Sequence, residues 1–424
     1  MKVLVVGSGG REHALVWKIK QNRNVAAIYC APGNAGISEI AECVNIASDD
    51  ITALADFARR TGIDLTVVGP EDPLTKGIVD HFQAQGLRAF GPTGDAAILE
   101  GSKVFMKDLL KKYEIPSARY EVFRDMDAAF RYIGEIGVPV VVKADGLAAG
   151  KGVIIANTEA EARDAVSLIM KEKAFGDAGA SVVIEEFLTG EEASFLAFTD
   201  GKTVLPLPTS QDHKAIFDGD KGPNTGGMGA YSPAPVVSQE LHDHVMKTVM
   251  MPTVKAMESE GRPYKGILYA GLMIENGKAK VLEFNCRFGD PEAQPLLMRL
   301  KSDLVEVMNA VIDGRLDSVR LEIDPRPTVC VVIASGGYPG KYEKGRKITG
   351  LEKAGSHKDV YVFHAGTAAK DGSVVTAGGR VLGVTAIADT LTDAIGRAYE
   401  AVGDISWEGA FSRRDIGQKA LHRL

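Results

Sequence analysis

Short apolar runs alternate with amphipathic segments along the first hundred residues of the chain. Runs rich in Val, Leu and Ile at residues 2–6, 25–30 and 65–68 predict buried strands, and the segments between them carry apolar residues at helical spacing. This alternation predicts a parallel, doubly wound sheet, in which ligands bind beyond the carboxyl ends of the strands. The segments at those ends are GSGG (7–10), APGNAG (31–36) and GPEDP (69–73).

The rest of the chain changes pattern twice. A helix-rich piece at 96–113 leads into an α+β stretch at about 120–199, and the Gly/Pro/Asn-rich segment 212–235 predicts a long loop without regular structure. Paired strands follow at 266–274 and 279–285, and DPRP at 324–327 is the best linker candidate before a smaller α+β pattern. We therefore predict an α/β and α+β multidomain protein with units at 1–101, 102–323 (with a mobile subdomain at about 120–190) and 324–424.

The composition excludes several classes of protein. Apolar residues make up 45% and charged residues 25% of the 424 residues, which is ordinary for a globular protein, and the net charge of −7 argues against a non-specific grip on nucleic acid or anionic membrane. No apolar run approaches the roughly 18 residues of a membrane helix, and the apolar part of the N-terminus is too short for a signal peptide. The four cysteines stand far apart without a C-x-x-C pair, which predicts a cytoplasmic protein without disulfides or structural zinc.

The GSGG turn after the first strand suggests a dinucleotide site. That fingerprint needs a third small residue where this chain has Glu12, and no acidic residue follows the second strand to bind a ribose. Glycines that open a helix still offer N–H groups to a phosphate, and the neighbouring Arg11 favours an anion site over a simple tight turn.

A second glycine-rich segment, DGLAAGKG (145–152), follows an apolar strand. Lys143 and Lys151 flank small residues whose backbone can close over phosphates. The segment is not a P-loop, because Gly would be needed at 145 and Ser or Thr at 152. A flexible hairpin remains the alternative for this segment.

The strand around residue 284 carries the most specific polar pattern. Residues two apart on a strand share a face, so Glu283, Asn285 and Arg287 are predicted to point one way while Leu282, Phe284 and Cys286 face the core. A carboxylate and an amide oxygen are hard ligands for Mg²⁺, and a guanidinium can steady a transferring phosphoryl group.

Two further segments carry patterns that indicate function less specifically. The acidic strand end EEFL (185–188) with GEE (190–192) fits either an adenine-lining edge or a solvated turn. In the segment 212–235, the packed turn residues favour a lid over a disordered insert. No G-x-S-x-G elbow or H-E-x-x-H motif is present, so a covalent nucleophile is not predicted.

Together, these motifs stand in order along the chain: GSGGREH (7–13), APGNAG (31–36), VGPE (68–71), KADGLAAGKG (143–152), EEFLTGEE (185–192), QDHK (211–214), GPNTGGMGAY (222–231) and LEFNCRFGDPEAQ (282–294). The chain resembles the phosphoribosylamine–glycine ligase family of the ATP-grasp superfamily, from residue 1 to about 420. It departs from that pattern at Ala215, where the family usually has a basic residue.

The resemblance implies a central ATP-grasp domain and a role for each matching residue. ATP would be bound by Lys103, Lys143, Gly146, Lys151, Gly152, Glu185, Glu186, Phe187, Leu188, Glu192 and Asn224. The second substrate would be bound by Gly9, Gly10, Arg11, Asn34, Glu71, Asp212 and Lys214. The metal, Mg²⁺ or Mn²⁺, would be held by Glu283 and Asn285, with Arg287 and Asp290 as catalytic residues; Asp290 is a hypothesis for the glycine ammonium.

The implied reaction joins glycine to 5-phospho-β-D-ribosylamine with ATP, through glycyl phosphate, in purine biosynthesis. A monomer acting on small molecules only is expected. Three alternatives are a dinucleotide oxidoreductase, which Glu12 disfavours; a nucleotide sensor, which would not need Glu283, Asn285 and Arg287 together; and a related ligase with a different acceptor.

Overall fold

The first unit is the predicted parallel sheet. In the computed structural model, which describes residues 1–147, 152–172 and 179–423, five parallel strands lie in the order Glu42–Cys43, Ala27–Pro32, Lys2–Gly7, Leu65–Val68 and Ala89–Phe90. The central strands are almost wholly buried, which explains their continuous apolar runs. Helices Gly10–Ile19, Ile51–Thr61, Glu71–Thr75 and Ile78–Ala84 complete it, and helices Gly94–Gly101 and Lys103–Lys112 lead out of it.

Two antiparallel four-stranded sheets form the middle of the molecule. The first has the order Tyr120–Phe123, Val182–Glu186, Val140–Ala144 and Val153–Ala156, with helices Met126–Ile136 and Glu159–Met170 packed against it. The second has the order Val204–Pro206, Glu191–Thr199, Gly266–Glu275 and Lys278–Asn285. Helices Gln239–Val245, Met251–Ser259, Ala293–Arg299 and Leu304–Asp313 complete this part.

The C-terminal sheet corrects the prediction of a long irregular loop at 212–235. Its strands lie in the order Gln211–Asp212, Gly229–Ser232, Thr328–Ser335, Arg380–Ile387 and Val360–His364, with Ala410–Phe411 beside Thr328–Ser335. Two of these strands therefore come from the predicted loop, and Gly229–Ser232 is fully buried. Between them, Ala215–Phe217 and Lys221–Asn224 form a hairpin. The unit also holds the hairpin Thr367–Lys370/Ser373–Thr376 and helices Leu351–Gly355, Leu391–Asp404 and Gln418–Leu421.

A bulge modifies the predicted pattern of the strand Lys278–Asn285. Gly271 lies opposite Glu283 while Leu272 lies opposite Val281, so Leu282 is an extra residue on this strand. An extra residue breaks the alternation of faces, and Leu282 lines a cavity together with Glu283 instead of facing the core. Arg287 lies two residues beyond the end of the strand, so the prediction that it shares a strand face with Glu283 is wrong.

Among the described residues, no helix is both long and apolar enough to cross a bilayer.

Candidate active site

Most of the predicted site residues meet in one cavity of about 380 Å³, where the three units adjoin, but Gly9, Gly10 and Asn34 are not part of its lining. Its lining includes, of the residues predicted from the sequence, Arg11, Glu71, Lys103, Lys143, Gly146, Gly152, Glu185, Glu186, Phe187, Leu188, Glu192, Asp212, Lys214, Asn224, Glu283, Asn285, Arg287 and Asp290. The predicted Lys151 lies outside the described residues. The strands Val140–Ala144 and Val153–Ala156 on either side of it are antiparallel neighbours, and the described residues Gly146, Leu147 and Gly152 line the cavity.

Lysines form one wall of this cavity. Lys143 Nζ lies 2.9 Å from Glu185 Oε1, and the buried Lys107 lies 2.9 Å from Glu185 Oε2. Lys103 Nζ donates to the carbonyl oxygen of Gly146 at 2.8 Å. Burial lowers the pKa of Lys103. Cations gathered in a partly buried cleft suit the phosphates of a nucleotide.

Carboxylates are arranged around Lys214 in another part of the cavity lining. Lys214 Nζ lies 2.9 Å from Glu192 Oε2 and 3.6 Å from Glu283 Oε1. Burial opposes ionisation of Glu283, but the charges of Lys214, Lys143, Lys103 and Arg287 lower its pKa to about 2. Glu283 is therefore an anion at neutral pH.

Glu283 and Asn285 fit a hard divalent cation. An ionised carboxylate and an amide oxygen, two residues apart at the end of one strand, are the oxygen donors that Mg²⁺ and Mn²⁺ take. Among the described residues, no cluster of three or more His, Cys, Asp or Glu side chains is arranged to hold a metal. This donor set matches an ion that takes its remaining ligands from substrate phosphates and water.

Arg287 is held between two carboxylates from different parts of the chain. Its Nε donates to Glu71 Oε2 at 2.9 Å, and its terminal nitrogen lies 3.1 Å from Glu100 Oε1. Glu100 also accepts the Cys286 N–H at 2.6 Å. Burial opposes ionisation of Glu71, but Arg287 and Arg11 lower its pKa to about 2. The guanidinium, which belongs to the second unit, is thus oriented by two carboxylates of the first unit.

Asp290 is joined to the C-terminal unit through Arg380, a residue that sequence reasoning missed. Arg380 donates to the carbonyl oxygens of Asp290 at 2.5 Å and Gly226 at 2.6 Å, and lies 3.5 Å from the Asp290 carboxylate. Gln294 also donates to this carboxylate at 2.9 Å. Although burial opposes ionisation, Arg380 and Arg11 lower the pKa of Asp290.

The acidic segment at 185–192 divides between two roles. Glu185 turns inward to the buried lysines, whereas the Glu186 carboxylate accepts from Arg119 at 2.9 Å and Lys280 at 3.0 Å. Phe187 is 36% exposed and lines the cavity. Backbone groups and apolar side chains, not the Glu186 carboxylate, are therefore available to an adenine ring.

The Glu12 carboxylate accepts a hydrogen bond from the glycine turn at residues 7–10 of the first unit. The Gly9 N–H donates to Glu12 Oε2 at 2.5 Å, and Arg11 Nε donates to Glu12 Oε1 at 2.8 Å. Gly9 and Gly10 lie against Asp290, since an added Cβ would come within 3.2 and 3.4 Å of its carboxylate oxygens. The Asn34 amide donates to the carbonyl oxygens of Ser8 at 2.8 Å and His364 at 2.9 Å.

Replacing Gly69 by alanine is expected to destabilise the protein by roughly 1–3 kcal/mol, because the Cβ would lie 2.1 Å from Glu12 Oε1 in a packed corner. Gly396→Ala is the matched control: it lies within helix Leu391–Asp404 with no atom within 4 Å of the added Cβ, and should be stabilising by about 0.5–1 kcal/mol. Urea titration measures both, and equal stabilities for the two variants would contradict the prediction.

Known proteins match the chain along its whole length. Descriptions of the phosphoribosylglycinamide synthetase N domain, ATP-grasp (A) domain and C domain match residues 1–100, 101–293 and 328–419. Proteins named phosphoribosylamine–glycine ligase from Vibrio cholerae and Pseudomonas aeruginosa are each 56% identical over 100% of this chain and 99% of their own lengths.

Solved structures are similar over the same extent. The crystal structure of phosphoribosylamine–glycine ligase from Thermotoga maritima has a TM-score of 0.85 and 33% identity, covering 98% of this chain and 100% of that one. The biotin carboxylase domain of the 2-oxoglutarate carboxylase from Hydrogenobacter thermophilus, in complex with MgADP, has a TM-score of 0.76 at 17% identity, covering 97% and 91%. The second likeness shows the fold alone.

Proposed function

The chain belongs to the phosphoribosylglycinamide synthetase family, and from this premise we propose that its cavity carries the reaction through an enzyme-bound glycyl phosphate. The protein is an ATP-dependent ligase that joins glycine to phosphoribosylamine in purine biosynthesis. The family and fold predicted from the sequence are confirmed. The observation that supports the proposed route is that Arg287, between Glu71 and Glu100, shares one cavity with Lys103 and Lys143.

The proposed route has two transfers. A glycine carboxylate oxygen attacks the γ-phosphorus of ATP, the bond to the β-phosphate oxygen breaks, and ADP leaves. The amine of phosphoribosylamine then attacks the glycyl carbonyl carbon, and phosphate leaves as the amine loses a proton. The chain's contribution is orientation and charge neutralisation, with Arg287 facing the transferring phosphoryl group and the acyl phosphate.

ATP is bound by residues from several parts of the cavity lining. Lys103 and Lys143 hold its phosphates together with Asn224 and the loop of Gly146, Lys151 and Gly152. The adenine is bordered by Glu185, Glu186, Phe187 and Leu188. Glu192 accepts a hydrogen bond from the ribose. The hairpin from Ala215 to Asn224, whose second strand Lys221–Asn224 is exposed, is the part of the predicted lid that can cover this nucleotide and exclude water.

The reaction uses ATP with a divalent metal ion, and we propose Mg²⁺ or Mn²⁺. Glu283 and Asn285 would hold it. When bound, the ion neutralises part of the charge of the ATP phosphates beside the carboxylates of the chain.

The acceptor substrate is assigned to the first unit and its border with the others. The ribosylamine is surrounded by Gly9, Gly10, Arg11, Asn34 and Glu71, with Asp212 and Lys214 across the cavity.

Asp290 receives the glycine ammonium. Asp290→Asn should raise the KM for glycine, and an unchanged KM would remove this role.

The proposed units are 1–101, 102–323 and 324–424. The strand Gly229–Ser232 belongs to the second unit by sequence but pairs with the sheet of the third unit. The four cysteines are free thiols, and burial is the first cause that raises the pKa of each one. We propose a cytoplasmic monomer.

ADP release tests the function directly. The assay contains Mg²⁺-ATP, glycine and phosphoribosylamine formed in situ from ribose 5-phosphate and ammonia, with each component omitted in turn. We expect release only when all three substrates are present. Release without glycine, or ATP binding without turnover in the full mixture, would contradict the proposal.

Arg380→Met is expected to lower kcat/KM by about 10- to 100-fold, because the guanidinium makes charge-assisted bonds that position Asp290 and the Gly226–Gly227 turn, each worth roughly 1.5–3 kcal/mol. The matched control is Arg346→Met in the same unit, where exposed pairs with Glu343 and Glu408 should matter less than about threefold. Steady-state kinetics for each substrate provide the measurement, and equal values for the two variants would exclude a positioning role for Arg380.

A further inference from the structure

Lys107 forms a buried ionic trio with Glu185 and Lys143. The side chains of Lys107, Glu185 and Lys143 are 0%, 2% and 8% exposed, and each lysine nitrogen lies 2.9 Å from a different oxygen of the one carboxylate. Lys143 and Glu185 line the cavity, whereas Lys107 approaches from helix Lys103–Lys112 behind it. The two oxygens of Glu185 are thus divided between a lysine at the cavity and a lysine behind it.

The charges of this trio decide what Lys143 can offer to a ligand. With both lysines charged, the trio carries a net charge of +1 beside the cavity. Without Lys107, Glu185 and Lys143 would form a neutral pair, and the carboxylate would hold the lysine more strongly. Burial lowers the pKa of Lys107 to about 8, opposed by the charge of Glu185, so Lys107 is mainly charged at pH 7.

We propose that Lys107 is a positioning residue for ATP: its positive charge offsets the negative charge of Glu185, so that Lys143 presents its ammonium group to the nucleotide phosphates. This inference rests on the proposed function, which places those phosphates beside Lys143. It deepens that function by assigning a role to a buried side chain that does not touch the substrate.

The inference predicts a loss confined to phosphate-bearing ligands. Lys107→Met should raise the Kd for ATP by about 10-fold at pH 7, the size of change expected when one unit charge is removed at about 10 Å in a partly polar site. The Kd for adenosine, which carries no phosphate, should change by less than about threefold. Isothermal titration calorimetry of the full chain with each ligand gives the ratio of the two constants.

A second substitution separates charge from packing. Adding Glu185→Gln to Lys107→Met removes one positive and one negative charge and returns the trio to +1, so the ratio of the adenosine Kd to the ATP Kd should recover to within about threefold of the wild-type value. Lys107→Gln, which keeps a donor for Glu185 without the charge, should lower that ratio as Lys107→Met does. It takes the place of Lys107→Met if the methionine variant does not fold.

Three results would overturn the inference: an unchanged ATP Kd in the charge-removing variants, equal losses for ATP and adenosine, or no recovery in the double variant. Failure of the proposed function would be visible separately, because the wild-type chain would then release no ADP in the full substrate mixture or release it without glycine, whatever the binding constants of the variants.

Discussion

Arg287→Met should lower kcat by about 10³-fold, the lower end of what one arginine contributes when it stabilises a transferring phosphoryl group. Arg287 lines the cavity and its guanidinium already bridges Glu71 and Glu100, at 2.9 and 3.1 Å. The same substitution leaves two partly or fully buried carboxylates without their common cation. Breaking such a pair costs roughly 3–5 kcal/mol of folding free energy, so kcat and stability must be measured on the same samples.

Two further variants separate catalysis from folding. Arg287→Lys keeps a positive charge near the carboxylates but cannot reproduce the planar fork, so it should recover much of the stability while kcat stays roughly 100-fold low. Arg299→Met removes another buried arginine, one that donates to Asp324 and Ser232 outside the cavity, and should lose stability with kcat within about threefold of wild type. Similar kcat losses for Arg299→Met and Arg287→Met would show that Arg287 acts through folding alone.

The first unit could be predicted because its strands leave their signal in the sequence. Buried parallel strands need apolar side chains on both faces, so residues 2–6 and 65–68 read as continuous runs and correspond to the observed Lys2–Gly7 and Leu65–Val68. The two-residue edge strand Glu42–Cys43 is too short and too exposed to leave such a run.

The segment 212–235 was predicted wrongly for a physical reason. Its strands are two to four residues long, and Gly229–Ser232 finds its partner, Thr328–Ser335, about a hundred residues later. Alternation cannot be recognised over so few residues, and the density of Gly and Pro favours turns. Long-range pairing, not local preference, makes this segment regular.

The site shows the same division between local and distant information. Glu283 and Asn285 could be found because two-residue spacing on a strand is local. Glu100, Lys107 and Arg380 were missed because charged residues on helices and strand ends resemble a solvated face until their distant partners are known. One local signal was available: Lys103 and Lys107 are four residues apart on one helix and therefore share a face.

Three buried histidines predict a large acid sensitivity of the folded state. His13 Nδ1 accepts the His364 N–H at 2.8 Å where the first and third units touch, and His213 lies beside Tyr231. Burial is the main cause that lowers the pKa of His13 to about 3 and those of His364 and His213 to about 4. The charge of His364 adds to the shift of His13, and Arg413 and Lys419 add to that of His213.

The direction of the change in stability with pH follows from proton binding. Between pH 6.5 and about 4 the unfolded chain binds protons that the folded chain does not, so the folded state loses stability as the pH falls. Each histidine removes roughly 2 kcal/mol between pH 7 and pH 5, so the three together remove about 6 kcal/mol of the free energy of unfolding. The carboxylates Glu71, Glu186 and Glu283, with pKa values lowered to about 2, lose their contribution only below about pH 4.5 and fall outside this window. Burial raises the pKa values of Glu100 and Asp212, so these two carboxyl groups oppose the loss where they take up protons in the folded state.

Urea titrations at pH 7, 6 and 5 measure this loss. Trp17 packs against Tyr361 and Phe363 beside His13, so its fluorescence reports on this contact once Trp407 is replaced by Phe. His13→Gln keeps an acceptor for the His364 N–H but cannot take up a proton, and should lose about 2 kcal/mol less than the parent between pH 7 and pH 5. The same slope in both proteins would mean that the His13 ring binds a proton without opening the contact between the first and third units.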